Sequence, residues 1–96
     1  FNSNFWLSTI LISEEASVSP DQLRQALMNE CIETRLLWRP MHMQPVFADA
    51  PSYLAEGYEN GLSGELFRRG LCLPSSSTLT DEQIAHVAQR IIDIVK

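Results

Sequence analysis

Lysine is nearly missing from this sequence. The single one, Lys96, is the last residue. Chemistry that needs a lysine amine within the domain, a Schiff base above all, has nothing to use here. No apolar run approaches the roughly 20 residues that span a bilayer, so no membrane partner is expected. Basic residues are few: seven Lys and Arg stand against twelve Asp and Glu, for a formal net charge of −5, and only Arg68 and Arg69 adjoin. A nucleic-acid surface calls for a basic stripe, and that class of partner is not expected. The two cysteines, Cys31 and Cys72, lie far apart and form no CxxC. They lack the paired spacing of zinc ligands, so no metal is expected. Both are expected to be reduced core residues of a cytoplasmic protein, although spacing alone leaves a disulfide open. Ser75 to Ser77 lack the GxSxG setting of a nucleophile, and no Gly-rich loop cradles a phosphate. FNSNFW carries neither a basic region nor a small-residue cleavage site, so no secretory leader is expected. Without an initiator Met, the chain is expected to be a piece of a longer one.

What is present is enough for one domain: 96 residues, 45% of them apolar. FWLSTILI, Phe5 to Ile12, reads as a strand covered on both faces and central in its sheet. VSPDQL follows. Ser19 is placed to cap a helix, Pro20 to open it, Gln22 to close a capping box, and Val18 to staple onto Leu23. Leu23, Ala26, Leu27 and Cys31 make its apolar stripe, and the helix should stop near Glu30. A strand from Ile32 to Trp38 should end by Pro40, which cannot donate to a ladder. MHMQP is expected to be an extended loop. Asp49 to Pro51 suggests a turn, and Tyr53, Leu54, Tyr58 and Leu62 a short helix or an irregular loop. Ser63 is placed to cap GELFRR, with Gly70 ending that helix in the left-handed conformation. Leu71 to Pro74 reads as a short buried strand. Thr80 and Gln83 form a second capping box, with Leu79 stapled to Ile84. Ile84, Val87, Ala88, Ile91 and Val95 share one face of the last helix. The fold class is α/β (α+β): a small sheet of three to four strands with helices packed mainly on one face.

Chemistry concentrates in IETRLLWRPMHMQPVF, residues 32 to 47. Arg35 could offer a fork of donors to a phosphate or carboxylate, or simply pair with Glu33. Trp38 could stack on a ligand ring or close the core at a strand end. His42, in a loop bracketed by prolines, could donate to a phosphate or sugar oxygen, or bond to backbone. His86 reads as a surface histidine. The pairs Glu14–Glu15 and Asp81–Glu82 read as a solvated turn and a favourable first helical turn. No complete set of nucleophile, base and oxyanion donors assembles from these residues.

The same run resembles a signature of the DegT/StrS family, close to I-E-T-R-P-L-W-K-P-M-H-x-Q-P-V-F. These are pyridoxal-phosphate-dependent nucleotide-sugar aminotransferases. A second likeness is LFRRGLCLPSSSTLTDEQI, Leu66 to Ile84, against G-L-C-L-P-S-x-x-x-L-T. FWLSTILI is similar to the strand that opens the family's small C-terminal domain. Leu36 departs from the usual proline, and Thr78 from a frequent asparagine.

The resemblance implies that residues 1–96 are the C-terminal small domain of a larger homodimeric enzyme with the aspartate-aminotransferase-type (fold type I) fold. The large cofactor-binding domain would be absent from this chain. The reaction would carry an amino group from glutamate to a nucleotide-linked keto-sugar, serving glycan, polysaccharide or glycoprotein synthesis. The catalytic lysine and the acid partner of the pyridine nitrogen have no counterpart here, so no cofactor is expected bound to these 96 residues alone. Carried over by position, Arg35 and His42 would face the nucleotide sugar or the amino donor, and Trp38 would shape that wall of the cleft. The alternative is a free-standing small-ligand-binding or regulatory α/β domain with a pocket closed within the chain.

Overall fold

Both capping boxes form as the sequence spells them. Ser19 Oγ accepts the Gln22 N–H at 3.2 Å while Gln22 Oε1 accepts the Ser19 N–H at 2.8 Å. Thr80 and Gln83 repeat the exchange at 3.2 and 2.9 Å. Each box satisfies two backbone N–H groups that the first turn would leave orphaned. They open helices α1, Pro20–Met28, and α3, Asp81–Val95. The computed structural model describes residues 2–96. The remaining regular elements are strands β1 (Ser8–Leu11), β2 (Arg35–Leu36) and β3 (Gly70–Leu73), and helix α2 (Gly61–Arg69).

The three strands form one sheet in the order β1-β3-β2, antiparallel throughout. Residues directly opposite each other share a face. Ile10, Leu71 and Leu36 therefore share one face, and Thr9, Cys72 and Arg35 the other. The first face is the packed one. Leu71 lies fully buried with Leu23 and Leu27 of α1, joined by Ile12 and Ile32, and Val87, Ile91, Ile94 and Val95 of α3 close over them. Helices thus cover mainly one face, as the patterning implied.

Several local expectations change. β1 is an outer strand, not the central one. It is also shorter than FWLSTILI, and Leu11 stands half exposed on the uncovered face. The apolar run was read as two buried faces, but only its Ile10 and Ile12 side meets helices. α1 ends before Cys31, which is exposed rather than part of the buried stripe. Its backbone is left-handed, φ 61°. That turn lets the Ile32 N–H reach back to Leu27 O at 2.9 Å and returns the chain to the core. Cys72 is buried, and both thiols are free. α2 begins at Gly61, after Asn60 and without a side-chain cap, so Ser63 lies inside the helix. Gly61 has φ 71°, and a Cβ there would lie 3.1 Å from Leu54 Cδ2. Gly70 is extended, φ −92°, because β3 starts at once. Its missing side chain is a matter of space: a Cβ would meet Leu37 Cδ1 at 2.1 Å. Ile84, expected in the buried face of α3, is exposed. MHMQP is not extended: Met41–Met43 and Pro45–Phe47 are two 3-10 turns, the second opened by proline with its fixed φ.

Ion pairs tie the periphery together. Arg90 of α3 grips Glu30 after α1 with two nitrogens, Nε at 2.5 Å from Oε2 and Nη2 on Oε1. The hydrogen bond from Arg90 holds the Glu30 carboxyl below its usual 4.5. Arg68 joins Glu65 at 2.7 Å and Glu14 at 2.6 Å, fastening α2 to the turn after β1.

Candidate functional site

The run Arg35 to His42 leaves the sheet along β2 and enters the turns that follow. Arg35 points to solvent, with 80% of its side chain exposed, and among the described residues its ion pair is with Glu33 Oε1, at 3.1 Å. An exposed pair of this kind leaves the guanidinium available to a better acceptor. Trp38 is 66% exposed. Its ring lies 6.1 Å from that of Trp6, tilted by 45°. Trp6 precedes β1 and Trp38 follows β2, so the contact links the flanks of two strands that do not pair with each other. Arg39 places its guanidinium 5.3 Å from the centre of the Phe67 ring, fixing the loop against α2.

His42 is anchored rather than free. Its Nε2 lies 2.8 Å from Asn60 O at the start of α2. A carbonyl only accepts, so Nε2 carries the proton in this contact, and a neutral ring keeps Nδ1 as an acceptor. Gln44 Nε2 donates to Arg39 O at 3.0 Å and closes the turn from within.

The three candidates do not converge in one pocket. Arg35 lines the edge of an open cleft of about 770 Å³ between the start of β2, the end of β3 and the first turns of α3. His42 borders a separate hollow of about 330 Å³ with Phe47, Tyr53 and Leu54. Trp38 lines neither. The larger cleft was not foreseen. His86, read as an ordinary surface histidine, is on its wall, as is Thr34, 4% exposed, whose hydroxyl has no hydrogen-bond partner. Such a hydroxyl costs on the order of 1–3 kcal/mol. Nothing in the local pattern marks these residues, because the cleft joins segments some 50 positions apart. Trp6 was likewise read as part of a buried strand. Among the described residues, no three of His, Cys, Asp and Glu gather closely enough to hold a metal ion. Among the described residues, no helix is long and apolar enough to cross a membrane.

The profile of the DegT/DnrJ/EryC1/StrS aminotransferase family matches residues 2–92, nearly the whole chain.

This chain belongs to that family.

Among relatives, it is 37% identical over 92 residues to EpsN of Bacillus subtilis strain 168, named as a pyridoxal phosphate-dependent aminotransferase. That match covers 96% of this chain and 23% of EpsN. It is 33% identical over 88 residues to a GDP-perosamine synthase of Vibrio cholerae, covering 92% of this chain and 23% of that protein. The corresponding enzyme of Escherichia coli O157:H7 is 26% identical over 87 residues, 91% of this chain and 22% of its own. The chain therefore spans about a quarter of the length of the relatives it matches. As a DegT/DnrJ/EryC1/StrS domain, it presents Arg35 and Trp38 outward, while His42 faces the start of α2.

Proposed function

We propose that this chain is the C-terminal small domain of a nucleotide-sugar aminotransferase with the fold type I architecture. The family match over residues 2–92 supports the aminotransferase part of this reading, and a likeness that spans only about a quarter of each relative is in keeping with a single domain of a longer enzyme. The full-length enzyme transfers an amino group from glutamate to a keto-sugar on a nucleoside diphosphate, for glycan or polysaccharide assembly. It works in the cytoplasm as a homodimer. Pyridoxal phosphate would supply the electron sink that labilises bonds at the amino-bearing carbon. The residues of this chain do not make a site for that cofactor by themselves. Their one lysine, Lys96, is an exposed cap at the end of α3.

This domain contributes one wall of the substrate cleft. Arg35 offers two parallel N–H donors to an anionic group, phosphate or carboxylate. Trp38 supplies an apolar surface against which a ring can lie. His42 orders the loop through Asn60 O and leaves Nδ1 to accept from a substrate hydroxyl.

The test is transfer itself. The full-length enzyme is supplied with ¹⁵N-glutamate and nucleoside-diphosphate-linked keto-sugars, and the sugar product is read by mass spectrometry. Label appearing on the sugar supports the reading. A full-length protein that loads cofactor yet aminates none of a panel of keto-sugars overturns it.

A further inference from the structure

The peptide unit between Asn60 and Gly61 holds two segments at once. Its N–H donates to Tyr58 O at 3.2 Å, closing a tight turn over residues 58–61. Its carbonyl, which a trans peptide points the opposite way, meets His42 Nε2 at 2.8 Å. Asn60 is the N-cap of α2, so this carbonyl also belongs to the first turn of the helix, and its second lone pair takes the imidazole. The chain leaves the peptide into α2 through a left-handed residue, with φ 71° at Gly61. A side chain there would oppose that twist. It would also press on Leu54, since a Cβ lies 3.1 Å from Leu54 Cδ2 and 3.2 Å from Leu54 Cβ. Leu54 in turn borders the hollow that His42 lines, with Phe47 and Tyr53. Conformation and space both select glycine, at the residue next to the acceptor of His42.

We infer that Gly61 is a positioning residue for His42: by turning the Asn60 carbonyl onto Nε2, it fixes which imidazole nitrogen faces the substrate. The inference rests on the aminotransferase reading above, in which His42 belongs to the wall of the substrate cleft. It narrows what His42 can bind. A neutral ring whose Nε2 proton is donated to Asn60 O presents a lone pair at Nδ1. That lone pair accepts from a hydroxyl and repels a phosphate oxygen, which has no proton to offer. Of the two groups open to a loop histidine, phosphate and sugar hydroxyl, the geometry keeps the hydroxyl.

Gly61 itself touches neither substrate nor cofactor in this role. It acts through the 18-residue span between Asn60 and His42, which the hydrogen bond closes. Loss of the left-handed turn moves the carbonyl, and the imidazole then rotates without a fixed acceptor.

The test uses the full-length enzyme, labelled with ¹⁵N-histidine, and its Gly61→Ala, Gly61→Asn and His42→Gln variants. His42→Gln identifies the His42 ring signals by their loss. At a pH where the ring is neutral, the wild type should show a proton on Nε2 that exchanges slowly with water, and none on Nδ1. Gly61→Ala should speed that exchange and raise KM for the nucleotide sugar about three- to tenfold, the worth of one hydrogen bond. Over the same change kcat, KM for glutamate and inhibition by inorganic pyrophosphate should stay within about twofold. Gly61→Asn adds the same Cβ against Leu54, but asparagine tolerates the left-handed backbone and should recover most of both losses. A proton on Nδ1 in the wild type, or a Gly61→Ala enzyme with unchanged exchange or unchanged sugar KM, overturns the proposal. So does equal damage in the alanine and asparagine variants, which would leave only packing against Leu54. Pyrophosphate inhibition that weakens in step with sugar binding also overturns it, by making His42 a phosphate ligand. If Gly61→Ala does not fold, His42→Gln decides, since a sugar KM that it leaves unchanged removes the group Gly61 is held to position. If the wild-type enzyme aminates no nucleotide sugar, the aminotransferase reading fails, while the ring proton and its response to Gly61→Ala still decide the positioning.

Discussion

The two faces of the sheet obey different rules. On one, Ile10 and Leu71 lie beneath α1 and α3, and three leucines (Leu23, Leu27 and Leu71) lose all contact with water. On the other, Thr9, Cys72 and Arg35 stand in register with no helix of this cluster above them, and Leu11 is half exposed. The first face is where folding free energy accumulates. The second keeps Thr9, Leu11 and Arg35 in water at its edges, while Gly70 and Cys72 on its central strand are buried.

The sharpest way to break this contrast is one deletion on each face. Leu27→Ala should cost about 2–5 kcal/mol in denaturant unfolding, whereas Leu11→Ala should cost less than about 1 kcal/mol. Equal losses would mean that the outer face is also a core. Next in size is Gly70→Ala, on the outer face. Backbone conformation allows it, but the new methyl meets Leu37 and also Leu66 O, at 2.7 Å. A loss of about 1–3 kcal/mol is expected, and a paired Leu37→Ala should relieve only the share that comes from Leu37, because the Leu66 backbone oxygen stays in place. If the double variant is no better than the sum of the singles, Leu37 is not what excludes the side chain. Smaller and opposite in sign is Cys31→Gly. It removes the left-handed strain of an exposed residue and should raise the unfolding midpoint by a gain of about 1 kcal/mol or less.

The Glu30–Arg90 clamp lies outside both faces and should show only in its pH dependence. The folded carboxyl titrates below its ordinary 4.5. Its contribution is therefore fully present above that value and disappears as pH falls through the lowered one. Thermal unfolding of Glu30→Gln should run below wild type at neutral pH and converge with it in acid. A constant gap at every pH would assign the effect to geometry rather than charge.

How much of this was legible in the sequence depends on the range of the interaction. The capping boxes at Ser19 and Thr80 were, because each is decided within four residues. The covering of a single face by helices was too, because Leu23, Leu27, Val87 and Ile91 repeat at helical spacing. Strand order was not: Phe5 to Ile12 is apolar enough for a central strand, and only pairing with β3 makes β1 an outer one. Gly70 carries a local signal for a helix end, yet its cause is a leucine 33 positions earlier. For the candidate site, Arg35, Trp38 and His42 stood out as a dense run. Their separation into different hollows did not, nor did the arrival of Trp6 beside Trp38, since both depend on contacts across the sheet.

Because β1 and β2 both pair only with β3, neither outer strand has a partner until Gly70–Leu73 is available. Some 60 residues beyond β1 must be made before any ladder can close. Loop closure over some 60 residues must then precede the first pairing of β1, which favours slow, late and all-or-none assembly. A truncation just before Gly70 would remove β3 and α3 together and, with β3, the whole sheet.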